Sequence, residues 1–357
     1  MCAVLTLCTV LAPVRLSAGA CEYDINEESC EVLSDNVVVG SRIKDLLFGK
    51  KESKSNKMLV ASGDVFGVKL EQRYVTVTES ARIPALKRGD VILSVNGKEV
   101  RRAADVQSIV SGCGGSSVTI RALHGKEKIS IEVLPSLEEG EYKLGLSLRD
   151  GALGIGTITF IDPETGAFGG LGHGICDADS GEVIDMRSGE ATGVILGGVH
   201  RGECGKPGEL CGILTEEELG TIEQNGECGV FGVLDTKKFD TSSLYPVGQK
   251  SDVHAGEATI ISTVKNGKKA EYKIEIFDID KSSDGSKSFR IKVTDKALKA
   301  LTGGIVRGMS GSPIIQDGKL VGAVTHVMVA NPTEGYGIFI ENMLNASNAR
   351  NELPKAA

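Results

Sequence analysis

The 357-residue sequence is poor in aromatic side chains and has no concentration of positive charge. It contains no tryptophan, and aromatic residues make up 4% of the chain. The formal net charge at pH 7 is −8. Nucleic-acid binding needs a basic face for the phosphates, and single-strand binders add aromatic platforms on which bases stack. The composition therefore argues against a nucleic-acid partner.

Long hydrophobic runs are also scarce, and the one at the N-terminus is short. Residues 2–13 are apolar over about a dozen positions, whereas a membrane-spanning helix needs roughly 20. Ala18 and Ala20 fit the A-x-A pattern that precedes a signal-peptide cleavage site. We expect a signal peptide or membrane anchor over residues 1–20, with a buried N-terminal strand as the alternative. Residues 21–57 are polar and mixed in charge, which predicts an exposed connector.

Nine cysteines are present, but their spacing does not repeat and no C-x-x-C pair occurs. An odd count without a repeat is not typical of a disulfide framework. Free thiols, one disulfide between Cys204 and Cys211, and a metal site are all open. The metal alternative uses histidine and cysteine ligands of the kind that bind zinc, namely His200, Cys204, Cys211 and Cys228.

Glycine is abundant and proline is not. The chain has 46 glycines and 9 prolines, so glycine is about 13% of the residues, near twice the usual fraction. Such a composition predicts many tight turns between short strands. From about residue 144 onward, short apolar runs alternate with turn sequences such as DPETG at residues 162–166. We predict a mainly β chain whose larger part is one β-barrel or a pair of barrels.

A smaller module precedes this region. Residues 65–70 form a short alternating pattern beside a glycine, and residues 88–97 contain a turn, a strand and an Asn-Gly turn signal. Residues 103–110 have helical spacing of apolar side chains. Two alternating runs on either side of residues 124–126 predict a closing hairpin, and residues 135–140 a linker.

The order of strand, turn, strand, helix and hairpin resembles a PDZ domain, which we place over residues 58–135. In that family a glycine-containing loop and the strand after it receive an extended peptide, often at its terminal carboxylate, by strand addition. The resemblance implies that Phe66, Gly67 and Val68 form this loop, since backbone N–H groups around a glycine can converge on an anion. A small β domain without a ligand is the alternative.

The sequence GMSGSP at residues 308–313 lies between two predicted strands. A serine flanked by glycines is exposed on a tight turn, where a substrate backbone can come close. A peptide carbonyl under attack becomes an oxyanion, which backbone N–H groups stabilise by about 3–4 kcal/mol each. The pattern is similar to the G-x-S-G-x-P signature of chymotrypsin-like serine peptidases. That resemblance implies Ser310 as the nucleophile and the N–H groups of Gly308 and Ser310 as the oxyanion hole. Ser312 is the weaker nucleophile candidate because no glycine follows it.

A serine nucleophile needs a base, and the chain has five histidines. His173 lies in the glycine-rich run GGLGHGI and precedes the serine, which is the order of the chymotrypsin-like class. We therefore predict His173 as the base and His326 as the runner-up. The orienting carboxylate is less well defined. Asp295 lies where a strand gives way to a short helix before the serine turn, and helix capping is the alternative role for it.

Several motifs together carry a more specific resemblance, and after the PDZ-like module they read GGLGHGI, VTD, GIVRGMSGSPI, GAVTHV and GYGIFIENML. From about residue 40 to residue 346 the chain resembles the stage IV sporulation protein B serine peptidase family. The resemblance implies a chymotrypsin-like double β-barrel over residues 141–348, with His173, Asp295 and Ser310 as the catalytic triad. It also implies acyl-enzyme hydrolysis of peptide bonds that requires no metal and no organic cofactor.

The same resemblance implies a biological setting. Members of the family are exported or anchored by a hydrophobic N-terminal segment and act between the two forespore membranes. They cleave themselves and a membrane-bound inhibitor of sigma-factor processing, and their PDZ domain binds peptide or protein partners. Two alternatives stand beside this function. One is an HtrA-like envelope protease, in which the barrel precedes the PDZ domain, and the other is a catalytically inactive PDZ scaffold.

Overall fold

The computed structural model describes residues 57–265 and 267–348, and the structural statements below refer to these residues. They fold mainly as β-strands with a few short α-helices, which confirms the prediction of a mainly β chain. The strands are β1 (Met58–Ala61), β2 (Val65–Ser80), β3 (Val91–Val95), β4 (Lys98–Glu99), β5 (Val118–His124), β6 (Glu127–Val133), β7 (Ser136–Glu138), β8 (Glu141–Lys143), β9 (Leu146–Ile161), β10 (Ala167–Gly170), β11 (Met186–His200), β12 (Glu209–Gly226), β13 (Gly229–Leu234), β14 (Leu244–Pro246), β15 (Gly256–Lys265), β16 (Lys268–Phe277), β17 (Phe289–Val293), β18 (Pro313–Gln316), β19 (Lys319–Met328) and β20 (Asn331–Phe339). The α-helices are α1 (Ala103–Ser111), α2 (Lys296–Thr302) and α3 (Ile340–Asn348).

Six strands close into a first barrel. Around the barrel they follow the order β2, β9, β10, β13, β12, β11, and β2 pairs with both β9 and β11, so the ring has no open edge. Counted along the chain, this is the order 1-2-3-6-5-4. Each of the six strands contributes buried side chains to one core, among them Phe66, Ile158 and Phe168.

The second barrel has the same connectivity. Strands β15, β16, β17, β20, β19 and β18 form a closed ring, again in the order 1-2-3-6-5-4 along the chain. Its core contains Ile260, Ile274, Ile291 and Phe339, one from each of four different strands. The prediction of a PDZ domain followed by two β-barrels is confirmed.

The PDZ-like module is continuous with the first barrel through two long strands. β2 and β9 have 16 residues each, and their outer parts still pair with one another near Val77 and Leu148. β3, β5 and β6 extend the sheet from this part of β2. Helix α1 packs Val106 and Val110 against the resulting face. The module is therefore built on strands that it shares with the barrel.

This sharing differs from the ranges expected from the sequence. β1 and the first half of β2 fall within residues 58–135, yet they pair with β9, β11 and β14 in the barrel region. The PDZ-like core in turn includes Leu144 and packs against Leu146 and Leu148. An alternating pattern shows which face of a strand is buried but not which sheet the strand joins. The two halves of β2 therefore look alike in sequence although they serve different domains.

No helix in the described part of the chain is long and apolar enough to cross a membrane. The predicted signal peptide or anchor over residues 1–20 lies outside the described residues. The predicted connector lies outside them up to residue 56.

Replacing Phe66 with alanine should destabilise the first barrel. Phe66 is 0% exposed, and its ring meets that of Phe168 edge-on with the centroids 5.8 Å apart. Truncation of a buried phenylalanine costs about 3–5 kcal/mol of unfolding free energy. Leu137→Ala, at a side chain that is 63% exposed, should change it by less than about 0.5 kcal/mol. Urea-induced unfolding measures both values, and equal effects would contradict the placement of Phe66 in the core.

Candidate active site

The serine turn depends on glycine for its shape. Gly308 and Gly311 have φ angles of +95° and +96°, a left-handed conformation that side-chain-bearing residues rarely adopt. A Cβ atom on Gly311 would lie 1.9 Å from the carbonyl oxygen of Thr157 in β9. The turn can therefore approach the first barrel this closely because residue 311 has no side chain.

Three hydrogen bonds from β9 hold the turn in place. The N–H of Thr157 donates to the carbonyl of Ser310 over 2.9 Å, and its hydroxyl donates to the carbonyl of Gly308 over 2.8 Å. The hydroxyl of Thr159 donates to the carbonyl of Gly311, also over 2.8 Å. Both threonines are fully buried, so water does not compete for these bonds. The first barrel thus fixes the position of a turn that belongs to the second.

Ser310 is half-buried, and its hydroxyl donates to the carbonyl of Thr325 over 2.7 Å. Within residues 57–265 and 267–348, the N–H groups of Gly308 and Ser310 have no protein hydrogen-bond acceptor. Both residues line the same cavity. Two unpaired N–H groups beside one cavity are what an oxyanion hole requires. The geometry therefore suits the role that the sequence predicts for this pair.

His173 lies just beyond β10, in a glycine-rich segment where Gly172 has a φ of +69°. Its Nδ1 is 2.8 Å from the carbonyl oxygen of Gly174. A carbonyl oxygen can only accept, so Nδ1 carries the proton and Nε2 carries the lone pair. Burial lowers the pKa of His173 below its ordinary value, and the hydrogen bond to Gly174 opposes this shift without cancelling it. The imidazole is therefore neutral near pH 7, with Nε2 free to act as a base.

One cavity of about 520 Å³ brings His173 and Ser310 together. Its walls come from both barrels, with Ile155 and Leu171 on one side and Val327 on the other. A pocket of this size is large enough to admit part of an extended peptide. Two of the three predicted catalytic residues thus line one cavity, whose walls come from both barrels.

A second imidazole packs against the first. The ring centroids of His173 and His326 are 4.6 Å apart, and the ring planes are inclined by 35°. The Nδ1 atom of His326 is buried and has no hydrogen-bond partner among the described residues. Burial, followed by the charges of His173 and Lys287, lowers the pKa of His326 to about 4. The histidine that the sequence ranks second is therefore a neutral neighbour of the first, beside the same cavity.

Asp295 is not brought to this cavity. Its Oδ1 accepts the N–H of Leu298 over 2.8 Å and caps the start of α2. Asp295 lines neither the cavity that His173 shares with Ser310 nor the neighbouring cavity that His173 shares with Lys287. The carbonyl of Gly174 already occupies Nδ1 of His173, the atom that an orienting carboxylate binds. The contact that Asp295 makes in the structure is therefore that of a helix cap, and its triad role stays a prediction.

Two further alternatives raised by the sequence are not supported by the structure. Ser312 is fully buried, with its Oγ 3.0 Å from that of Ser262, so a substrate cannot reach it. The described cysteines are all free thiols, so the alternative disulfide between Cys204 and Cys211 is not formed. These free thiols are Cys113, Cys176, Cys204, Cys211 and Cys228.

The structure corrects the position of the peptide-binding loop. Phe66, Gly67 and Val68 lie inside β2 of the first barrel, where Gly67 is opposite Thr192 of β11 on one side and Ile155 of β9 on the other. A strand with a neighbour on each edge has no free row of N–H and C=O groups for an added peptide. Phe66 and Val68 are also buried, with Phe66 in the barrel core.

The groove of the PDZ-like module lies instead between α1 and the start of β9. A cavity of about 350 Å³ there is lined by Val106 and Val110 from the helix and by residues 143–146. Gly145 has a φ of +67°, as expected for a tight loop before a strand. The sequence contains the signal, since KLGL at residues 143–146 is a glycine-containing loop before an alternating run. It lies beyond the expected end of the module.

The loop that follows His173 is joined to the PDZ-like module by ion pairs. Arg149 in β9 donates to Asp177 over 2.7 Å and to Asp179 over 2.6 Å. Arg88, before β3, also pairs with Asp179, and this bond contributes most to lowering the pKa of that carboxyl group. The segment that carries the candidate base therefore rests on side chains from the neighbouring module.

Comparison with protein families gives two matches. The family described as SpoIVB peptidase S55 matches residues 140–344, and the PDZ domain family matches residues 85–123. The first match covers more than half of the chain and contains His173, Asp295 and Ser310. The second contains β3 and α1.

Two curated proteins match a shorter part of the chain. A putative zinc metalloprotease of Mesorhizobium japonicum is 30% identical over 81 residues, which are 23% of this chain and 22% of that protein. A putative zinc metalloprotease of Nostoc sp. is 30% identical over 86 residues, which are 23% of this chain and 24% of that protein. The chain therefore spans about a quarter of the length of these relatives.

Similar solved structures are distant. The active form of the Rv3671c protease from M. tuberculosis has a TM-score of 0.32 and 12% identity, over 71% of this chain and 88% of that one. The PDZ domain of the SdrC-like protein from Listeria monocytogenes has a TM-score of 0.19 and 19% identity, over 25% of this chain and 90% of that one. Similarity this low does not allow the roles of individual residues to be transferred.

Gly311→Ala should displace the serine turn, because the new methyl group would collide with the Thr157 carbonyl. Gly318→Ala is the matched control, with a φ of +72° and no atom within 4 Å of its Cβ position. A left-handed φ alone costs about 1–3 kcal/mol at either site, and the collision adds about 1–3 kcal/mol at residue 311. Urea-induced unfolding should show the larger loss for Gly311→Ala. Equal losses would mean that the close approach of the turn to β9 is unimportant.

Proposed function

The chain belongs to the SpoIVB peptidase S55 family, and on that premise we propose that it is a serine endopeptidase. Ser310 is the nucleophile and His173 is the general base. The observation that carries this proposal is the single cavity that His173, Ser310 and Gly308 all line. A base, a hydroxyl and two unpaired N–H groups, which are the parts that acyl transfer requires, belong to residues that line this cavity.

Hydrolysis follows the acyl-enzyme route. Nε2 of His173 takes the proton of the Ser310 hydroxyl as Oγ bonds to the scissile carbonyl carbon. The carbonyl electron pair moves to the oxygen, which then accepts hydrogen bonds from the N–H groups of Gly308 and Ser310. When this intermediate collapses, the C–N bond breaks and His173 gives its proton to the leaving amine. Water then attacks the ester by the same steps and releases the new carboxyl terminus and the free serine.

One rotation precedes the first step. The Ser310 hydroxyl donates to the carbonyl of Thr325 and must rotate away from it to donate to His173. A neutral hydrogen bond of this kind contributes about 1 kcal/mol net, so leaving it is a small cost. Catalytic hydrogen bonds are often loose before substrate binds, and they tighten in the complex. The resting contact is therefore compatible with the proposed role.

The Gly174 carbonyl orients the base in this mechanism. It keeps the proton on Nδ1 of His173, which is the tautomer that leaves Nε2 basic. The neutral ring of His326 covers one face of His173. Asp295, the third member that the family resemblance implies, caps α2 through Oδ1, and the Gly174 carbonyl holds the Nδ1 position of His173 in its place.

The family also suggests the substrates and the setting. We infer that the chain is exported and acts in the forespore intermembrane space on polypeptides, including itself and a membrane-bound regulator of sporulation. The PDZ-like groove between α1 and β9 binds the end of an extended peptide. Two features support this proposal. The groove contains a glycine loop, and near Leu148 the edge of β9 that faces away from β2 pairs with no other described strand, so a peptide could add to it.

A fluorophosphonate probe, which phosphonylates activated serines, tests the catalytic assignment. The full chain should label at Ser310, and Ser310→Ala should not label. His173→Gln should slow labelling at least about a thousandfold, because a catalytic serine without its base loses most of its reactivity. His254→Gln is the matched control, since His254 is exposed and paired with Asp317, and it should label at the wild-type rate. A folded wild-type chain that does not label would instead support the inactive scaffold.

The pH profile of peptide cleavage should reflect the buried base. His173 must be neutral to accept a proton, and burial lowers its pKa below the ordinary value of about 6.5. A lowered pKa keeps the base form at lower pH, so the acid limb of kcat/KM should have its midpoint below pH 6.5. The groups around the same imidazole include Glu227, Lys287 and His326. An acid limb with its midpoint at or above pH 6.5 would contradict the placement of His173 as a buried base.

A further inference from the structure

A group of three side chains on the ribbon of β11 and β12 has no part in the proposed reaction. His200 ends β11, Glu209 begins β12, and the two residues are directly paired across the ribbon. Cys211 follows two positions after Glu209 and therefore projects to the same face. The donor atoms of the three side chains all lie within 4.8 Å of one another.

These three donors match the ligand chemistry of zinc. Imidazole, thiolate and carboxylate are its usual protein ligands, at about 2.0–2.3 Å. Two nitrogen or oxygen ligands on a tetrahedral zinc ion are roughly 3.3 Å apart. His200 Nδ1 and Glu209 Oε1 are already 3.1 Å apart. Bringing Cys211 into place then requires no more than a small side-chain movement.

We propose that the ribbon binds one divalent ion of the zinc class through His200 Nδ1, a carboxylate oxygen of Glu209 and Cys211 Sγ. Binding releases the Cys211 thiol proton to solvent as the metal–sulfur bond forms, so affinity rises with pH. A water molecule completes the tetrahedron, because His200 and Glu209 are exposed and leave one side open. The proposal is independent of the peptidase function.

The ligand set differs from the one that the sequence suggests. Cys204 lies next to the carbonyl of Ala330, and Cys228 lies near the carbonyl of Asp284. Neither belongs to the group of donors around His200. The carboxylate of Glu209 takes part because the pairing of β11 with β12 places it opposite the histidine.

The ribbon also contacts the segment before the serine turn. The N–H of Leu210 donates to the carbonyl of Arg307, and the N–H of Arg307 donates to the carbonyl of Gly208, both over 2.9 Å. A Cβ atom on Gly308 would lie 3.0 Å from the Leu210 side chain. Glu209 and Arg307 form a parallel β-bridge at this point. Glu209, a proposed metal ligand, is therefore bridged to Arg307, the residue directly before Gly308 of the proposed oxyanion hole.

Titration of the reduced full-length protein with Co²⁺ tests the site directly. A thiolate bound to Co²⁺ gives a charge-transfer band in the near ultraviolet, and one equivalent should saturate it. Zn²⁺ should then abolish the band by displacement. Cys211→Ser should remove the band, and His200→Gln and Glu209→Gln should each weaken Co²⁺ affinity at least tenfold. His200 is exposed, so His200→Gln tests the site even if a change at Cys211 impairs folding.

Cys204→Ser and Cys228→Ser are the matched controls and should keep the band at wild-type strength. Zn²⁺ should also raise the melting temperature of the wild-type chain but not that of Cys211→Ser, because a ligand stabilises only the state that binds it. A band that persists in Cys211→Ser, a band that disappears in Cys204→Ser, or no band in the wild type would each overturn the proposal.

Discussion

The hydrogen bonds between β9 and the serine turn are the contacts on which the candidate site depends. Thr157 and Thr159 belong to the first barrel, yet they satisfy carbonyl groups on both sides of Ser310. Each buried bond contributes about 1 kcal/mol net, and a buried carbonyl left unpaired costs about 1–3 kcal/mol. The turn is therefore stable in one position, and that position is set by the barrel that also carries His173. Gly311 makes the contact sterically feasible.

Burial at the same junction determines the chemistry that the imidazoles can perform. His173 and His326 share a mostly apolar environment, in which a charged ring is costly. The second ring has an unpaired Nδ1 and a pKa of about 4, so it stays neutral while the first accepts a proton. Unpaired buried polar atoms are uncommon and destabilising.

The sequence predicts the parts of the site that have a local signature. The sequence singles out His173 and Ser310 as candidates because the segments that hold them contain glycines with positive φ, and glycine is visible in sequence. Phe66 was misplaced because a period of two reveals a buried face but not the neighbouring strands. The group bound to Nδ1 of His173 is the backbone carbonyl of Gly174, and a backbone group has no residue-type signature. Asp295 shows the converse, since one local pattern fits both a helix cap and a triad carboxylate.

The continuity of β9 joins the PDZ-like module to the first barrel and to the serine turn of the second. The strand starts beside the groove at Leu146, lines the cavity of the candidate site at residues 152–155 and anchors the serine turn at Thr157. Between these points Arg149 holds the loop that follows His173 through Asp177. Between the groove and the serine turn, one edge of β9 pairs with β2, and β10 joins the other edge only from Ile158 onward. The groove, the cavity and the support of the serine turn therefore lie along one pair of strands, so their relative positions follow from the register of β2 with β9.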